Sequence, residues 1–285
     1  MQRITSSPPL PARSQDGNKG TFGRVLVVGG NAGMLGAPAM AGRAALKLGS
    51  GLVQVAVPAA ILVAVLTITP ELIGIGLSSG VSDELHEAAE KAGAMVIGPG
   101  LGKSADALAR VKALLALTQP AVVDADALNL IAEQPAWPDW FHASAVLTPH
   151  PGEMKRLAKL IGRTEVPTDD AGRIDIATTA ANAFKQVVLL KGKRTIVTDG
   201  DRVYINHTGD SSLAKAGTGD VLSGMIGCLL GQKMSPFDAA CAGCHLHGRA
   251  GEIAGEKLGQ RCVLSHDVID ALPQAVAEYE QRYGA

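Results

Sequence analysis

Aromatic residues are scarce in this chain, 3% of 285 residues, although hydrophobic residues make up 47%. A core without rings must be filled by Ala, Val, Leu and Ile, the filling of parallel sheets buried on both faces, which argues against a β-sandwich. Charge is balanced as well: the formal net charge is −1, with no long block of one sign. The chain therefore lacks the electrostatic footprint of a nucleic-acid or anionic-membrane binder. Long hydrophobic runs are missing; the stretch 59–65 is far short of the roughly 20 apolar residues that span a bilayer. Residues 1–19 carry Pro8, Pro9 and Pro11 among polar residues, without the apolar segment of a signal peptide. We therefore expect a cytoplasmic protein whose four cysteines stay reduced. No repeat, low-complexity tract or linker marks a second domain. A flexible leader over residues 1–18 and a single domain over 19–285 is the simplest organisation, although the length alone would admit two.

What is present is an alternation. The run Val25-Leu-Val-Val-Gly-Gly30 reads as a buried strand entering a glycine turn, followed by helix formers at helical spacing over 36–48. Short apolar runs recur at 52–57, 95–97, 121–124, 146–148 and 187–190, with helical stretches at 103–117, 153–160 and 171–184. Strands alternating with helices predict a three-layer α/β/α fold with a mostly parallel central sheet. Residues 195–207 read instead as an antiparallel hairpin turning at Asp199-Gly-Asp201, expected at the sheet edge. Beyond Gly217 the chain reads as helical, with breaks at Gly231, Pro236, 255–261 and Pro273.

Ligands of open parallel sheets bind beyond the carboxyl ends of the strands. Here those ends carry Gly29-Gly-Asn-Ala-Gly33, Gly98-Pro-Gly-Leu-Gly102, Asp124-Ala-Asp126, Thr148-Pro-His-Pro-Gly-Glu153 and Lys191-Gly192. A single glycine loop is more often a tight turn, but five on one rim point to a site, with Asp126, His150 and Glu153 as polar candidates. Ala216-Gly-Thr-Gly-Asp220 places glycines just before an apolar helix, where unpaired N–H groups and the helix dipole form an anion hole. From these five residues alone, two roles for Asp220 stand level. As a general base it would contribute about 10²–10⁴-fold in rate; as a carboxylate complementing the dipole it is worth about 0.3–1 kcal/mol. Neither the Walker nor the Rossmann fingerprint stands at the first strand-helix turn.

The run 216–224, preceded by Asn206-His-Thr-Gly209, resembles the C-terminal signature of the ADP- or ATP-dependent NAD(P)H-hydrate dehydratases, which are ribokinase-like. Lys19-Gly-Thr-Phe-Gly23, Val27-Val-Gly-Gly30, Gly33-Met-Leu-Gly-Ala37, the loop 98–102, Asp124-Ala-Asp-Ala-Leu-Asn129 and the loop 148–153 resemble that family's motifs in order, covering residues 19–273. The resemblance implies repair of hydrated NADH or NADPH: the ring hydroxyl of the S epimer is phosphorylated, and phosphate is eliminated. It implies Asp220 as the catalytic base, and Ala37, Gly100, Gly102, His150 and Asp220 around the hydrate. Lys191, Gly192, Lys193, Arg194, Thr195, Gly217, Thr218 and Gly219 would hold the nucleotide. ADP is the expected donor and ATP the alternative, with Mg²⁺ shared among phosphate oxygens and no protein metal site. A homotetramer is expected too. The chain departs from the family at Gly209-Asp-Ser-Ser-Leu-Ala214, where something close to Gly-Asn-Pro-Gly-Met-Ala is the pattern, so Asp210 bears on nucleotide preference. The family's companion epimerase module is not expected before Lys19.

Cys241-Ala-Gly-Cys244-His245 matches the spacing of c-type haem attachment, and His247 adds a zinc reading. Both are set aside, because residues 237–253 read as one small-residue helix in which such cysteines pack a core. Two rival functions remain: another ribokinase-like kinase, acting on a hydroxymethylpyrimidine or hydroxyethylthiazole, and a non-catalytic nucleotide sensor, which would need no base at Asp220.

Overall fold

The computed structural model of the chain describes residues 1–136, 139 and 141–284. One ten-stranded sheet runs through them. Its strands are β1 (Gln2–Ile4), β2 (Arg24–Val28), β3 (Leu52–Pro58), β4 (Ile73–Leu77), β5 (Ala94–Ile97), β6 (Ala121–Val123), β7 (Ala145–Leu147), β8 (Val187–Leu190), β9 (Ile196–Thr198) and β10 (Arg202–Ile205). The order across the sheet is β1-β10-β9-β8-β7-β6-β5-β2-β3-β4. All neighbours are parallel except β9, which runs antiparallel to both β8 and β10.

The strands are apolar at successive positions because both faces are covered. Side chains alternate across a strand, so Val25 and Val27 enter one core while Leu26 and Val28 enter the other. Helices α1 (Gly36–Lys47), α2 (Ala59–Ile68), α8 (Thr218–Gly231), α9 (Pro236–Leu258) and α10 (Ser265–Tyr283) cover the first face. The second is covered by α3 (Asp83–Glu90), α4 (Ala105–Leu115), α5 (Ala125–Ala132), α6 (Pro151–Ala158) and α7 (Asp170–Phe184). Helix starts are set locally: Ser82, Ser104, Asp169 and Ser235 each accept a bond from a first-turn amide, the usual N-cap contribution of about 1 kcal/mol.

Three expectations need correction. Residues 1–18 are tied down rather than flexible: β1 adds to the sheet beside β10, Ser7 Oγ lies 2.6 Å from the Tyr279 hydroxyl, and Arg13 Nη1 donates to the Gly49 carbonyl at 3.0 Å. Pairing satisfies backbone groups that β10 would otherwise present to water. For the same reason the antiparallel hairpin is present but does not take the outermost place, which β1 occupies. Lastly, α10 continues through Pro273. Burial of Val268, Ile269, Leu272 and Ala275 on both sides of it holds the helix together across the missing N–H. The haem-like cysteines behave as core: Cys241 and Cys244 are buried inside α9.

Candidate active site

The five loops singled out in the sequence follow β2, β5, β6, β7 and β8, which are parallel neighbours in the sheet. Their residues therefore meet on one rim. At its centre, directly after β6, Asp124 is 1% exposed. Its Oδ1 lies 2.7 Å from Lys191 Nζ, and its Oδ2 accepts a 2.5 Å bond from Ser223 Oγ in α8. Burial works against the ionised Asp124, but the Lys191 charge and the bonds from Lys191, Ser223 and Thr148 outweigh it and hold its carboxyl below the usual value. Lys191 is the mirror case: burial alone would discharge it, and Asp124 with Glu153, whose Oε2 is 3.9 Å away, keeps it charged.

The turn before α8 is shaped by Gly217, whose φ is +88°. A Cβ there would stand 2.6 Å from Ser265 Oγ and 2.7 Å from Met40 Cε, so only glycine fits. No side chain caps this helix start. The amides of Thr218, Gly219 and Asp220 precede the first intrahelical bond, Val221 N to Gly217 O at 3.1 Å, and the helix dipole adds to their positive potential. Gly224 fixes where that turn points: a Cβ would lie 2.0 Å from the Ala41 carbonyl, so α8 presses backbone to backbone on α1.

Asp220 occupies the first turn of α8 and is half-buried. Burial first, then the carboxylates of Asp124, Glu153 and Asp126, raise its pKa from 3.8 to about 7 against the opposing pull of Lys191. A carboxylate poised near neutrality accepts a proton readily and gives it up readily, which is what a general base requires.

His150 caps α6, with Nδ1 accepting from the amides of Gly152 at 2.9 Å and Glu153 at 3.3 Å. Burial, then the Lys191 and Arg156 charges, lower its pKa. The neutral ring therefore carries its proton on Nε2, which lies 3.3 Å from Glu153 Oε1. His150 thus serves as the helix cap, and its Nε2–H faces the Glu153 carboxylate. Burial raises the Glu153 pKa against the Lys191 charge.

Ala37 and Gly100 are neighbours across the gap between α1 and the β5 loop: a Cβ on Gly100 would lie 3.2 Å from that of Ala37. Asn31 joins the same patch, donating to Gly100 O at 2.8 Å. Gly102 N donates to Asp126 Oδ2 at 2.8 Å. Asp220 is within electrostatic reach of both Asp126 and the Asp124–Lys191 pair.

A cavity of about 640 Å³ opens beside α8, within the roughly 300–1,000 Å³ of small-molecule sites. Lys191, Gly192, Lys193, Arg194, Thr195, Thr218 and Gly219 line it. Gly217 stands just outside, and Ala37, Gly100, Gly102, His150 and Asp220 are not part of its wall. The 191–195 loop is pinned from behind by Arg173, which is 7% exposed and donates to the Lys193 carbonyl at 2.6 Å.

The family model described as NAD(P)H-hydrate dehydratase matches residues 25–274. The chain belongs to that family. A bifunctional NAD(P)H-hydrate repair enzyme from Moorella thermoacetica is 42% identical over 282 residues, 95% of this chain and 52% of the relative. An ADP-dependent (S)-NAD(P)H-hydrate dehydratase from Neisseria meningitidis is 39% identical, over 87% of this chain and 82% of the relative. The chain spans about half the length of the bifunctional relatives it matches. Among solved structures, an ADP/ATP-dependent NAD(P)H-hydrate dehydratase from Bacillus subtilis co-crystallized with ATP/Mg²⁺ superposes with TM-score 0.82 at 28% identity, covering 95% of both chains. A ribokinase-like superfamily protein from Enterococcus faecalis gives 0.80 at 26%, covering 97% and 96%. The fold is ribokinase-like, as the ordered motifs implied.

For a dehydratase-family member, the sequence reading passed over Asp124 as the partner of Lys191, Ser223 as the partner of Asp124, and Arg173 behind the loop. Asn206, Thr208, Asp210 and His247 also line the cavity, although none of them stood among the expected site residues. Asp124 carried a usable signal, a carboxylate directly after a buried strand; Ser223 and Arg173 carried none, being ordinary polar residues in helices. Asp210, the departure from the family pattern, accepts from Ser212 N at 2.9 Å and Gln260 Nε2 at 2.7 Å. Its carboxylate is engaged by its own loop and by the turn that follows α9.

Proposed function

We propose that this chain dehydrates the S epimer of hydrated NADH or NADPH, using ADP as phosphoryl donor. The observation that carries this reading is the juxtaposition at the start of α8: uncapped amides of Thr218 and Gly219, the charged Lys191, and a carboxylate with a pKa near 7 in one turn. Asp220 takes the proton of the ring hydroxyl as that oxygen attacks the terminal phosphorus. The amides of Thr218 and Gly219 stabilise the charge spreading over the transferring oxygens. Phosphate, a far better leaving group than hydroxide, then leaves with the C–O electron pair as the ring nitrogen lone pair pushes it out, and the adjacent ring carbon gives up a proton so that the C=C bond of the dihydropyridine re-forms.

Residues 191–195 line the cavity we assign to the nucleotide. Ala37, Gly100, Gly102 and His150, which lie outside that cavity, would border the hydrate. Among the described residues, no three His, Cys, Asp or Glu side chains cluster to hold a metal. A magnesium ion would rest mainly on phosphate oxygens and neutralise them. The test is incubation with hydrated NADH and either ADP or ATP, following reduced-nicotinamide absorbance and phosphate release. Recovery with neither nucleotide overturns the reaction; a large ATP preference overturns only the donor.

A homotetramer in the cytoplasm is part of the same proposal. Among the described residues no helix is long and apolar enough to cross a membrane. Helix α2 nevertheless turns an uncharged face outward, with Val63 77% and Ile68 44% exposed, beside Ile73 at 48% on the edge strand β4. A contiguous apolar face of this kind suits contact between copies. Val63→Asp should shift the protein to a smaller species in size-exclusion chromatography with light scattering; an unchanged mass would remove α2 from any interface.

A further inference from the structure

Several polar side chains around the cavity already have partners. Asn206 Nδ2 donates to the Thr208 and Cys244 carbonyls, both at 3.1 Å. Thr208 Oγ1 bonds the His245 carbonyl at 2.8 Å, Ser211 bonds Gln260 at 2.7 Å, and Thr218 Oγ1 reaches Leu213 O at 2.8 Å. His247, on α9, lines the same cavity and is 8% exposed, yet its Nε2 is buried with no hydrogen-bond partner. An orphaned buried nitrogen is costly, a cost that a ligand can remove.

The environment limits which ligand group can do so. Burial first, and the Lys191 charge after the opposing Thr218 contact, leave the ring neutral, with its pKa pushed down to about 4. A neutral imidazole has one N–H and one lone pair. The Thr218 main chain favours the protonated ring without outweighing burial. Whichever nitrogen holds the proton, a hydroxyl satisfies Nε2, as donor or as acceptor, whereas phosphate oxygens, acceptors only, satisfy it in one tautomer alone. With phosphates gathered at the α8 turn that His247 adjoins, the nearest hydroxyls of a nucleotide are those of its ribose.

Resting on the nucleotide reading of the cavity, we propose that His247 Nε2 shares a hydrogen bond with a ribose hydroxyl of the bound nucleoside diphosphate. It thereby selects ribonucleotides and fixes the sugar relative to the phosphate turn.

Calorimetric titration of the full chain with ADP, 2′-deoxy-ADP and 3′-deoxy-ADP tests this without any substitution. One deoxy analogue should bind about 3–10-fold more weakly than ADP, the range of a single net hydrogen bond. In His247→Leu, which fills the space with an apolar side chain, ADP and that analogue should bind alike. Equal binding of all three nucleotides to the unaltered protein overturns the role of His247, as does discrimination that persists in His247→Leu. No binding of ADP at all overturns the nucleotide reading itself, an outcome distinct from the other two.

Discussion

Replacing Asp220 by Asn removes a charge and keeps a shape, and its two consequences run in opposite directions. A positioned general base contributes about 10²–10⁴-fold, so turnover of hydrated NADH should fall by that factor while ADP affinity stays within a few-fold. Stability should rise. The folded protein holds the Asp220 proton more tightly than an unfolded chain does, since its pKa is raised from 3.8 to about 7. This favours folding in full below about pH 4 and is lost as pH rises through 7, so the ionised carboxylate is a cost at pH 8. At about 1.4 kcal/mol for each tenfold change, the shift is worth on the order of 4 kcal/mol. Water reaching the half-buried group should reduce that to about 2 kcal/mol. At roughly 2–4 °C per kcal/mol, Asp220→Asn should melt about 4–8 °C higher than the parent at pH 8 and at nearly the same temperature at pH 4. Scanning calorimetry at the two pH values, with the coupled absorbance assay, reads both effects. The parent rate should also climb tenfold per pH unit up to about 7 and then level. Turnover within a few-fold of the parent, or a lower melting temperature at pH 8, would refute the reasoning.

Lys191→Met should leave Asp124 buried without its counter-charge and cost about 3–5 kcal/mol in chemical denaturation. In the parent, the depressed Asp124 pKa stabilises the fold above the usual carboxylate range, and this contribution should disappear as pH falls through the lowered value; the Lys191→Met melting curve should lack that acid-side loss. Gly217→Ala puts a methyl where φ is +88° and Ser265 Oγ is 2.6 Å away. It should cost about 1–3 kcal/mol and raise the KM for ADP more than that for the hydrate. Removing residues 1–10 takes away β1 and the Ser7 contact to Tyr279; hydrogen exchange should then accelerate in β10 and at the end of α10 while β5 and β6 stay protected.

How much of this was written in the chain depends on the range of the contact. Each rim loop was legible because it follows a short, wholly apolar run and opens with glycine, aspartate or a proline-histidine pair, local features that a strand-loop-helix unit requires. The anion hole was equally local, contained within 216–220. The Lys191–Asp124 pair joins residues 67 apart in sequence, and nothing near either residue announces the other. Strand β4 was passed over because Gly74 and Gly76 interrupt its pattern; a Cβ on Gly74 would meet Leu62 Cδ1 at 2.5 Å, so glycine there admits the α2 side chains. Strand β1 is three residues long, too short for any periodicity, and its place depends wholly on β10. His247 was hidden for a different reason: its local pattern suggested metal binding, while its surroundings make it a cavity wall.

Strand β1 has one further effect, on the order of events during synthesis. Gln2 leaves the ribosome long before its partner Arg202 exists, and Ser7 must wait until Tyr279 in the last helix. Entropy penalises such a long closure only slowly with length, but time does not: until then the opening segment trails unpaired, and an arrested chain keeps it so. This seam should be the last to zip, and the place where quality-control proteases distinguish a finished molecule from an unfinished one.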